Sequence, residues 1–280
     1  MENRIVIPLD GTESVSEILL YAKSITPRAD TEIALLHVLP LTGSAGLMSA
    51  HVDEIHDSLA VDGWTVRREV RMGDPVEEIM KFALLMPATM LLMSTHGRSG
   101  LERLRAGSVT EQVLKRSPCP VFILHSTRPE PADQRTEKLF RRILVPLDGT
   151  QTSASILECV KRFSIMHDSE VILFHDELDS SFSEQQKAEI KTVMQDQSVE
   201  LANTGLKVML DFSTYRRPIL EILNKIDELN ISLVSMATHG ESGARRALDE
   251  SVTAEVIRHA NCPLLVWSAK PQCPQFAADR

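Results

Sequence analysis

The stretch that decides the fold occurs twice, as RIVIPLDGT at residues 4–12 and as RILVPLDGT at residues 142–150. Seven of the nine positions are identical. Each copy is an apolar run that ends in aspartate, glycine and threonine, a pattern typical of a buried strand followed by a turn. A match of this length within one chain indicates an internal repeat.

A second pair of similar segments follows in the same order. Residues 93–114 and 236–257 both carry Thr-His-Gly and then, at equal spacing, Ser-Val-Thr. The first pair of segments is separated by 138 residues and the second pair by 143, so the second copy has gained five residues in between. The chain is therefore a tandem duplication with an insertion.

Short apolar runs alternate with stretches of helical period in both copies. The runs that predict strands are 4–9, 31–39, 65–71, 89–94 and 120–125, and then 142–147, 169–175, 206–212, 231–236 and 263–267. Because the runs are continuously apolar, we expect parallel sheets covered by helices on both faces. The predicted fold class is α/β, with two Rossmann-like domains that each contain a five-stranded, doubly wound parallel sheet.

The length of 280 residues fits two domains. The repeats place a first domain at residues 1–127 and a second at 141–268. Residues 128–140 between them contain proline and charged residues without apolar periodicity, which predicts a linker. Residues 269–280 form a polar tail.

Composition excludes several classes of partner. Lys and Arg total 30 against 39 Asp and Glu, and the net charge of −9 disfavours nucleic acid. The first predicted strand starts close to Met1, and no apolar stretch approaches the ~20 residues of a membrane helix. We therefore expect a cytoplasmic protein with no membrane partner. The four cysteines form no CxxC pair, so neither a disulfide nor a zinc site is expected.

Candidate ligand-binding residues follow the predicted strands. In a doubly wound sheet, ligands bind beyond the carboxyl ends of the strands, where the strand order reverses. Asp10 ends the first strand, Val38 the second, Gly73 follows the third, and Ser94 ends the fourth. Asp10 has the chemistry to accept hydrogen bonds from a ribose or an adenine, and the alternative is a local turn with Gly11.

The segment after the fourth strand predicts a phosphate-binding loop. Gly97 is followed by nine residues and then by Gly107 and Ser108 at the start of a helix. Glycine permits close approach of a phosphate, and a helix start supplies free main-chain N–H groups. Arg98 adds a positive charge within the loop. The alternative is that Ser108 only caps the helix, and His96 is more typical of a local turn contact than of a catalytic base.

These motifs resemble the ATP-binding branch of the universal stress protein family. The resemblance rests on residues 8–12, on Gly73-Asp74-Pro75 and on the segment 94–108, and it covers nearly the whole chain twice. The family pattern is Gly, two residues, Gly, nine residues, Gly, then Ser or Thr, and this chain has Ser94 at the first Gly. The residues that the resemblance assigns to nucleotide binding are Pro8, Asp10, Val38, Gly73, Ser94, His96, Gly97, Arg98, Gly107, Ser108, Val109 and Thr110.

The resemblance implies an adenine nucleotide alpha hydrolase-like fold with ATP in the first domain and magnesium carried by the phosphates. It implies a nucleotide-dependent regulatory or stress-response protein, with at most slow ATP hydrolysis or self-phosphorylation and no assigned catalytic or metal-ligating residue. The two domains are expected to pair through their last strands, 120–125 and 263–267, as an intrachain pseudo-dimer. A homo-oligomer and an unidentified protein partner are further expectations.

The second copy departs from the nucleotide-binding pattern. Its substitutions are Glu250 at the counterpart of Gly107, Arg216 at the counterpart of Gly73, and Asp176 at the counterpart of Val38. A carboxylate at a helix start repels a triphosphate and takes the favourable place of an anion. We therefore expect the second domain to bind no ATP. We also expect Asp148 to form a local turn with Gly149.

Two other functions stay open at this point. An ATP-using enzyme on the same kind of sheet, such as a nucleotidyltransferase or an ATP pyrophosphatase, is expected to carry His-x-Gly-His or Ser-Gly-Gly-x-Asp-Ser, and neither motif occurs. A ligand-free interaction scaffold is favoured by Ser94 and by the altered second copy. The nucleotide content of the purified protein distinguishes these functions.

Overall fold

The structure is a computed structural model that describes residues 3–11, 13–39, 49–86, 88–94, 109–124, 139–176, 183–238 and 252–268. The chain divides into two compact units at the boundary between Pro129 and Glu130. We call them the N-terminal unit and the C-terminal unit.

The N-terminal unit alternates strands and helices. Its elements are β1 (Asn3–Leu9), α1 (Val15–Ile25), a 3-10 turn (Arg28–Asp30), β2 (Thr31–Leu39), α2 (Ser49–Val61), β3 (Thr65–Met72), α3 (Pro75–Leu85), β4 (Met90–Ser94), α4 (Val109–Arg116) and β5 (Val121–Leu124). Side chains fix where the helices begin. Ser14 caps α1, and Asp74 caps α3 by accepting the Glu77 N–H at 3.0 Å, with Pro75 at the first helical position.

The C-terminal unit repeats this order. Its elements are β6 (Arg142–Pro146), α5 (Gln151–Ala154), α6 (Leu157–His167), β7 (Glu170–Asp176), α7 (Glu184–Ala202), β8 (Lys207–Ser213), α8 (Pro218–Glu228), β9 (Leu233–Thr238), α9 (Val252–His259) and β10 (Leu264–Ser268). Every predicted strand is present, with ends within two residues of those expected.

Each unit contains one parallel sheet with the predicted reversal of strand order. The N-terminal sheet has the order β3-β2-β1-β4-β5, and the C-terminal sheet has the order β8-β7-β6-β9-β10. Neighbouring strands within each sheet are parallel. The reversal lies between β1 and β4 and again between β6 and β9, which confirms the doubly wound prediction.

The strand register locates the five inserted residues. Ile33 pairs with Val66 in the N-terminal sheet, and Val171, the counterpart of Ile33, pairs with Val208. Four of the extra residues therefore lie between the second and third strands of the C-terminal unit. The fifth lies between β8 and α8, at the sheet edge where ligands are expected.

The core follows the central strands. In β1, β2, β4 and β5 nearly every residue is buried, as expected for strands covered on both faces. The outer strands differ, because five of the eight residues of β3 are exposed and β8 is only partly buried. The expectation of continuously apolar, fully covered strands is wrong for these two, since an outer strand has only one neighbour and carries charged residues.

One polar contact is repeated in both units at the same spacing. Arg4 Nε donates to Glu32 Oε2 at 2.6 Å, and Arg142 Nε donates to Glu170 Oε2 at 2.8 Å. Each pair joins the starts of two neighbouring strands, at the second residue of each strand in the N-terminal unit and at the first in the C-terminal unit. The duplication has therefore preserved side-chain geometry as well as topology.

The cysteines correct one expectation. Cys159, buried in α6, is disulfide-bonded, although the cysteine spacing predicted no disulfide. Spacing along a chain does not reveal which thiols a fold brings together, and this is why the prediction failed. Cys119 and Cys262 are free and buried. Burial raises the pKa of the Cys262 thiol to about 12, so this thiol is not a nucleophile at neutral pH.

Candidate nucleotide site

The carboxyl ends of the N-terminal strands bring the predicted site residues to one edge of the sheet. The last pair between β1 and β2 joins Leu9 to His37, so Asp10 lies beside Val38. Ser94 is the last residue of β4, the strand on the other side of β1. The Asp10 side chain is exposed, whereas Val38 and Ser94 are half-buried. Asp10 and Ser94 thus flank the point where the strand order reverses, which is where such sheets bind ligands.

Gly73 forms the third corner of this edge. It follows β3 directly, and its N–H donates to the Leu39 carbonyl oxygen at 3.0 Å. Its φ of +147° is a conformation that glycine adopts readily and other residues rarely do. A Cβ here would lie 3.2 Å from Glu78 Cγ, so a side chain would be both strained and crowded. Glycine is therefore the residue that fits this position, and close approach of a ligand to its backbone stays a prediction.

Glu13 organises the loop that follows β1, a role that sequence reasoning missed. Its carboxylate accepts the Asp10 N–H at 2.7 Å and the Gly11 N–H at 3.0 Å. Both oxygens of one buried carboxylate thus hold two consecutive main-chain N–H groups. Charge-assisted hydrogen bonds of this kind are about twice as strong as neutral ones, so Glu13 fixes the main chain that carries Asp10.

His51 connects Glu13 to helix α2. Its Nε2 lies 3.4 Å from Glu13 Oε2, within ion-pair distance but without hydrogen-bond geometry. Burial raises the pKa of Glu13, the nearby charge of Asp10 raises it further, and the N–H groups of the loop oppose that rise. The pair therefore joins the loop after β1 to α2 at the rim of the candidate site.

A buried histidine supports the ends of β1 and β2. His37 Nδ1 lies 2.8 Å from the Leu9 carbonyl oxygen, and its Nε2 is buried without a hydrogen-bond partner. The C-terminal unit repeats the contact, with His175 Nδ1 at 2.8 Å from the Leu147 carbonyl oxygen. Sequence reasoning missed this histidine, although its recurrence at the repeat spacing was a usable signal.

The predicted phosphate-binding residues lie largely outside the described residues. His96, Gly97, Arg98, Gly107 and Ser108 fall there. Within the described part, α4 begins at Val109, which is 37% exposed, and Thr110 is buried. Pro8 is half-buried in β1, where it pairs with Leu36.

The C-terminal unit fills the equivalent strand ends with its own carboxylate. Asp176 is the last residue of β7 and is only 4% exposed. Its oxygens accept the Arg216 N–H at 3.2 Å and the Arg217 N–H at 2.7 Å. Arg216, with φ +59°, occupies the left-handed region in this loop. Two of the three altered positions that the sequence singled out, Asp176 and Arg216, therefore bind one another.

The loop after β6 is also engaged. The Asp148 carboxylate accepts the Thr150 N–H at 2.9 Å and the Thr150 hydroxyl at 2.6 Å, so the expected local turn is present, with Thr150 as the donor. A Cβ on Gly149 would lie 2.8 Å from Ile190 Cγ1, which shows how closely α7 covers this loop. Glu250 lies outside the described residues.

The described residues contain neither a metal-binding cluster nor a membrane-spanning helix. Among the described residues, no group of three or more His, Cys, Asp or Glu side chains is arranged to hold a metal ion. In the same residues, every helix is too short or too polar to cross a bilayer.

Comparison with known proteins gives a consistent result. The model of the Universal stress protein family matches residues 1–125 and again residues 139–268. Each match includes the strands and helices of one unit, so the family repeat and the structural repeat coincide.

Individual relatives carry the same family name. A universal stress protein of Methanocaldococcus jannaschii is 33% identical over 143 residues, which is 45% of this chain and 84% of that protein. One from Mycobacterium tuberculosis H37Rv is 25% identical over 210 residues, covering 72% of this chain and 68% of that protein. The crystal structure of one from Archaeoglobus fulgidus has a TM-score of 0.70 at 23% identity, over 96% of this chain and 99% of that chain. This last similarity establishes the fold alone.

Proposed function

The chain belongs to the universal stress protein family, and from that premise we propose that its N-terminal unit binds ATP and that its C-terminal unit does not. In this proposal the chain is a nucleotide-dependent regulatory protein and not a dedicated enzyme. Occupancy of one site then distinguishes two states of the molecule.

The observation that carries the proposal is the difference between the units at the ends of their second and third strands. In the N-terminal unit the main chain of Gly73 donates to the Leu39 carbonyl, and no carboxylate intervenes in that contact. In the C-terminal unit the buried Asp176 carboxylate occupies the corresponding place. A buried negative charge at that edge both excludes and repels a nucleotide.

The N-terminal residues fit the parts of ATP by their chemistry. Asp10 presents a carboxylate that accepts hydrogen bonds from ribose hydroxyl groups or from adenine, just beyond a strand end. Gly73 has no side chain at a place where a Cβ would be crowded. By the family pattern, Gly97, Gly107 and Ser108 hold the phosphates, and magnesium accompanies them.

The test is the adenine nucleotide content of the purified protein, measured after denaturation and followed by titration with Mg-ATP. We expect about one ATP per chain, since one of two sites is intact. Two ATP per chain would contradict the proposal that the C-terminal unit binds no ATP. No nucleotide and no binding on titration would replace the proposal with the ligand-free scaffold.

A matched pair of variants sharpens this test. Gly107→Glu copies the C-terminal residue into the N-terminal loop and is expected to abolish ATP binding by charge repulsion at the helix start. Glu250→Gln removes the same charge from the C-terminal unit and is expected to leave the stoichiometry at about one. Full-strength binding by Gly107→Glu contradicts the repulsion argument.

Turnover distinguishes the regulatory role from an enzyme. We expect ATP hydrolysis or self-phosphorylation no faster than a slow background. Rapid turnover with a defined acceptor would favour an ATP-using enzyme. The cytoplasmic location, homo-oligomer and protein partner stay predictions.

A further inference from the structure

We propose that Glu13 is a positioning residue of the nucleotide site, which holds the main chain after β1 so that the Asp10 carboxylate meets the ribose hydroxyl groups. This inference rests on the proposed ATP site in the N-terminal unit. In this proposal Glu13 makes the site selective for the ribose hydroxyl groups of the nucleotide.

The contacts of Glu13 are those expected of a residue that fixes a loop. Its two carboxylate oxygens accept the N–H groups of Asp10 and Gly11, at 2.7 and 3.0 Å. The Glu13 side chain is only 8% exposed, so water competes little for these hydrogen bonds. Because Asp10 itself donates one of them, a change at Glu13 moves the residue that carries the ribose acceptor.

Helix α2 holds Glu13 from the other side. His51 Nε2 lies 3.4 Å from Glu13 Oε2, and this nitrogen is buried without a hydrogen bond. The Glu13 carboxylate is the charged group that this buried nitrogen faces. His51 is thus a secondary support for the same loop.

The C-terminal unit, which we propose binds no nucleotide, lacks this arrangement in its described residues. Gln151 stands at the counterpart of Glu13 and is exposed. The Asp148 N–H there donates to the neutral Ser153 hydroxyl at 3.3 Å, a longer contact than the 2.7 Å hydrogen bond at Asp10. The charged clamp therefore occurs in the unit with the otherwise intact site.

A carboxylate just beyond a strand end recognises ribose hydroxyl groups by accepting hydrogen bonds from them. Such recognition depends on position, because a displacement of about 1 Å removes most of the benefit of a well-placed group. Loss of Glu13 should therefore weaken binding of a nucleotide that has both hydroxyl groups. It should leave a nucleotide without them nearly unaffected.

The experiment compares the affinities for Mg-ATP and Mg-2′,3′-dideoxy-ATP by titration calorimetry on the full chain. For Glu13→Ala we expect about a tenfold loss of affinity for ATP and less than a twofold change for dideoxy-ATP, because a charge-assisted hydrogen bond is worth at least this much. Glu13→Gln keeps an acceptor oxygen and is expected to recover part of the loss. Asp10→Ala removes the proposed ribose acceptor itself. Its ratio of the two affinities is therefore the reference for a site that no longer distinguishes ATP from dideoxy-ATP.

Glu54→Ala is the control, since Glu54 is an exposed carboxylate one turn along α2. It should bind both nucleotides as the unaltered chain does. If the unaltered chain binds ATP and the Glu13 variants keep its full preference over dideoxy-ATP, the inference is wrong and the proposed function stands. If the Glu13 variants lose both affinities equally, Glu13 is a structural residue, which also overturns the inference. If the unaltered chain binds no ATP, both fail together.

Discussion

The Asp176 carboxylate accepts the main-chain N–H of Arg217 at 2.7 Å, so a residue at the end of one strand holds the loop that follows the neighbouring strand. The same carboxylate also accepts the Arg216 N–H. The single extra residue between β8 and α8 lies in this loop. The extra residue in the loop and the aspartate at position 176 thus take part in the same contact between two strand ends.

Asp176→Val, which introduces the residue found at Val38, should destabilise the C-terminal unit. We expect a loss of about 1–2 kcal/mol in the free energy of unfolding, because two N–H groups lose their acceptor. Urea unfolding can be followed by Trp267 fluorescence in a Trp64→Phe background, since the chain has only these two tryptophans. Asp176→Asn keeps an acceptor and should lose less; equal midpoints for all three chains would contradict the prediction.

Glu13 should give the N-terminal unit a specific pH dependence. Burial raises the pKa of Glu13, so the folded chain binds this proton more tightly than the unfolded chain does. Its contribution to stability is therefore full below the ordinary glutamate pKa and is lost as the pH rises through the folded-state pKa.

Relative to Glu13→Gln, the unaltered chain should thus lose stability over a pH range that begins at the ordinary glutamate pKa of 4.5 and extends upward through the raised folded-state pKa of Glu13. The measurement is urea unfolding of both chains across this range, followed by Trp64 fluorescence in a Trp267→Phe background. Glu54→Gln should give a curve parallel to that of the unaltered chain. A parallel curve for Glu13→Gln as well would show that the prediction is wrong.

The repeated arginine pairs should differ in their contribution to stability. The Glu32 side chain is 10% exposed, whereas that of Glu170 is 34% exposed. Glu32→Gln is expected to cost about 1–3 kcal/mol because it leaves Arg4 without its counter-charge in a buried place. Glu170→Gln should cost less than about 1 kcal/mol because solvent screens the pair. Each tryptophan reports its own unit, and equal losses would contradict the argument from burial.

Two glycines with similar backbone angles allow the cost of backbone strain to be distinguished from the cost of steric crowding. Gly149 and Gly205 have φ values of +83° and +89°, but a Cβ on Gly149 meets Ile190 at 2.8 Å, whereas a Cβ on Gly205 meets nothing within 4 Å. Gly205→Ala should cost about 1–2 kcal/mol from backbone strain alone. Gly149→Ala should cost more, because the Ile190 side chain or α7 must also move. Trp267 fluorescence in urea measures both, and a smaller loss at Gly149 would contradict the prediction.

The strand order and the location of the sheet edge could be predicted because both follow from local patterns. A continuous apolar run specifies a covered strand, and parallel strands bring their carboxyl ends together. The positions of Asp10, Gly73 and Ser94 at this edge were predicted in this way, and their role in binding stays a prediction. The exposure of β3 could not be predicted from the central strands, since it depends on which strand has no outer neighbour.

The role of Glu13 could not be predicted, because it depends on a side chain that folds back onto the main chain before it in sequence. The repeat offered no signal, since its counterpart is Gln151. Asp176 was singled out as a substitution, but its binding to the β8–α8 loop requires knowledge of the inserted residue. Sequence patterns thus identified the edge of the site, and the three-dimensional contacts identified what holds it.

The charged outer strands have a consequence for aggregation. β3 carries Arg67, Arg68, Glu69 and Arg71 in eight residues, and β8 carries Lys207 and Asp211. An outer strand presents unpaired N–H and C=O groups that can template the addition of a strand from another molecule, and charged side chains oppose this addition. Concentrated solutions of the chain are thus protected from edge-to-edge polymerisation at β3 and β8, and neutral residues at Arg67 and Arg71 would weaken that protection without disturbing the core.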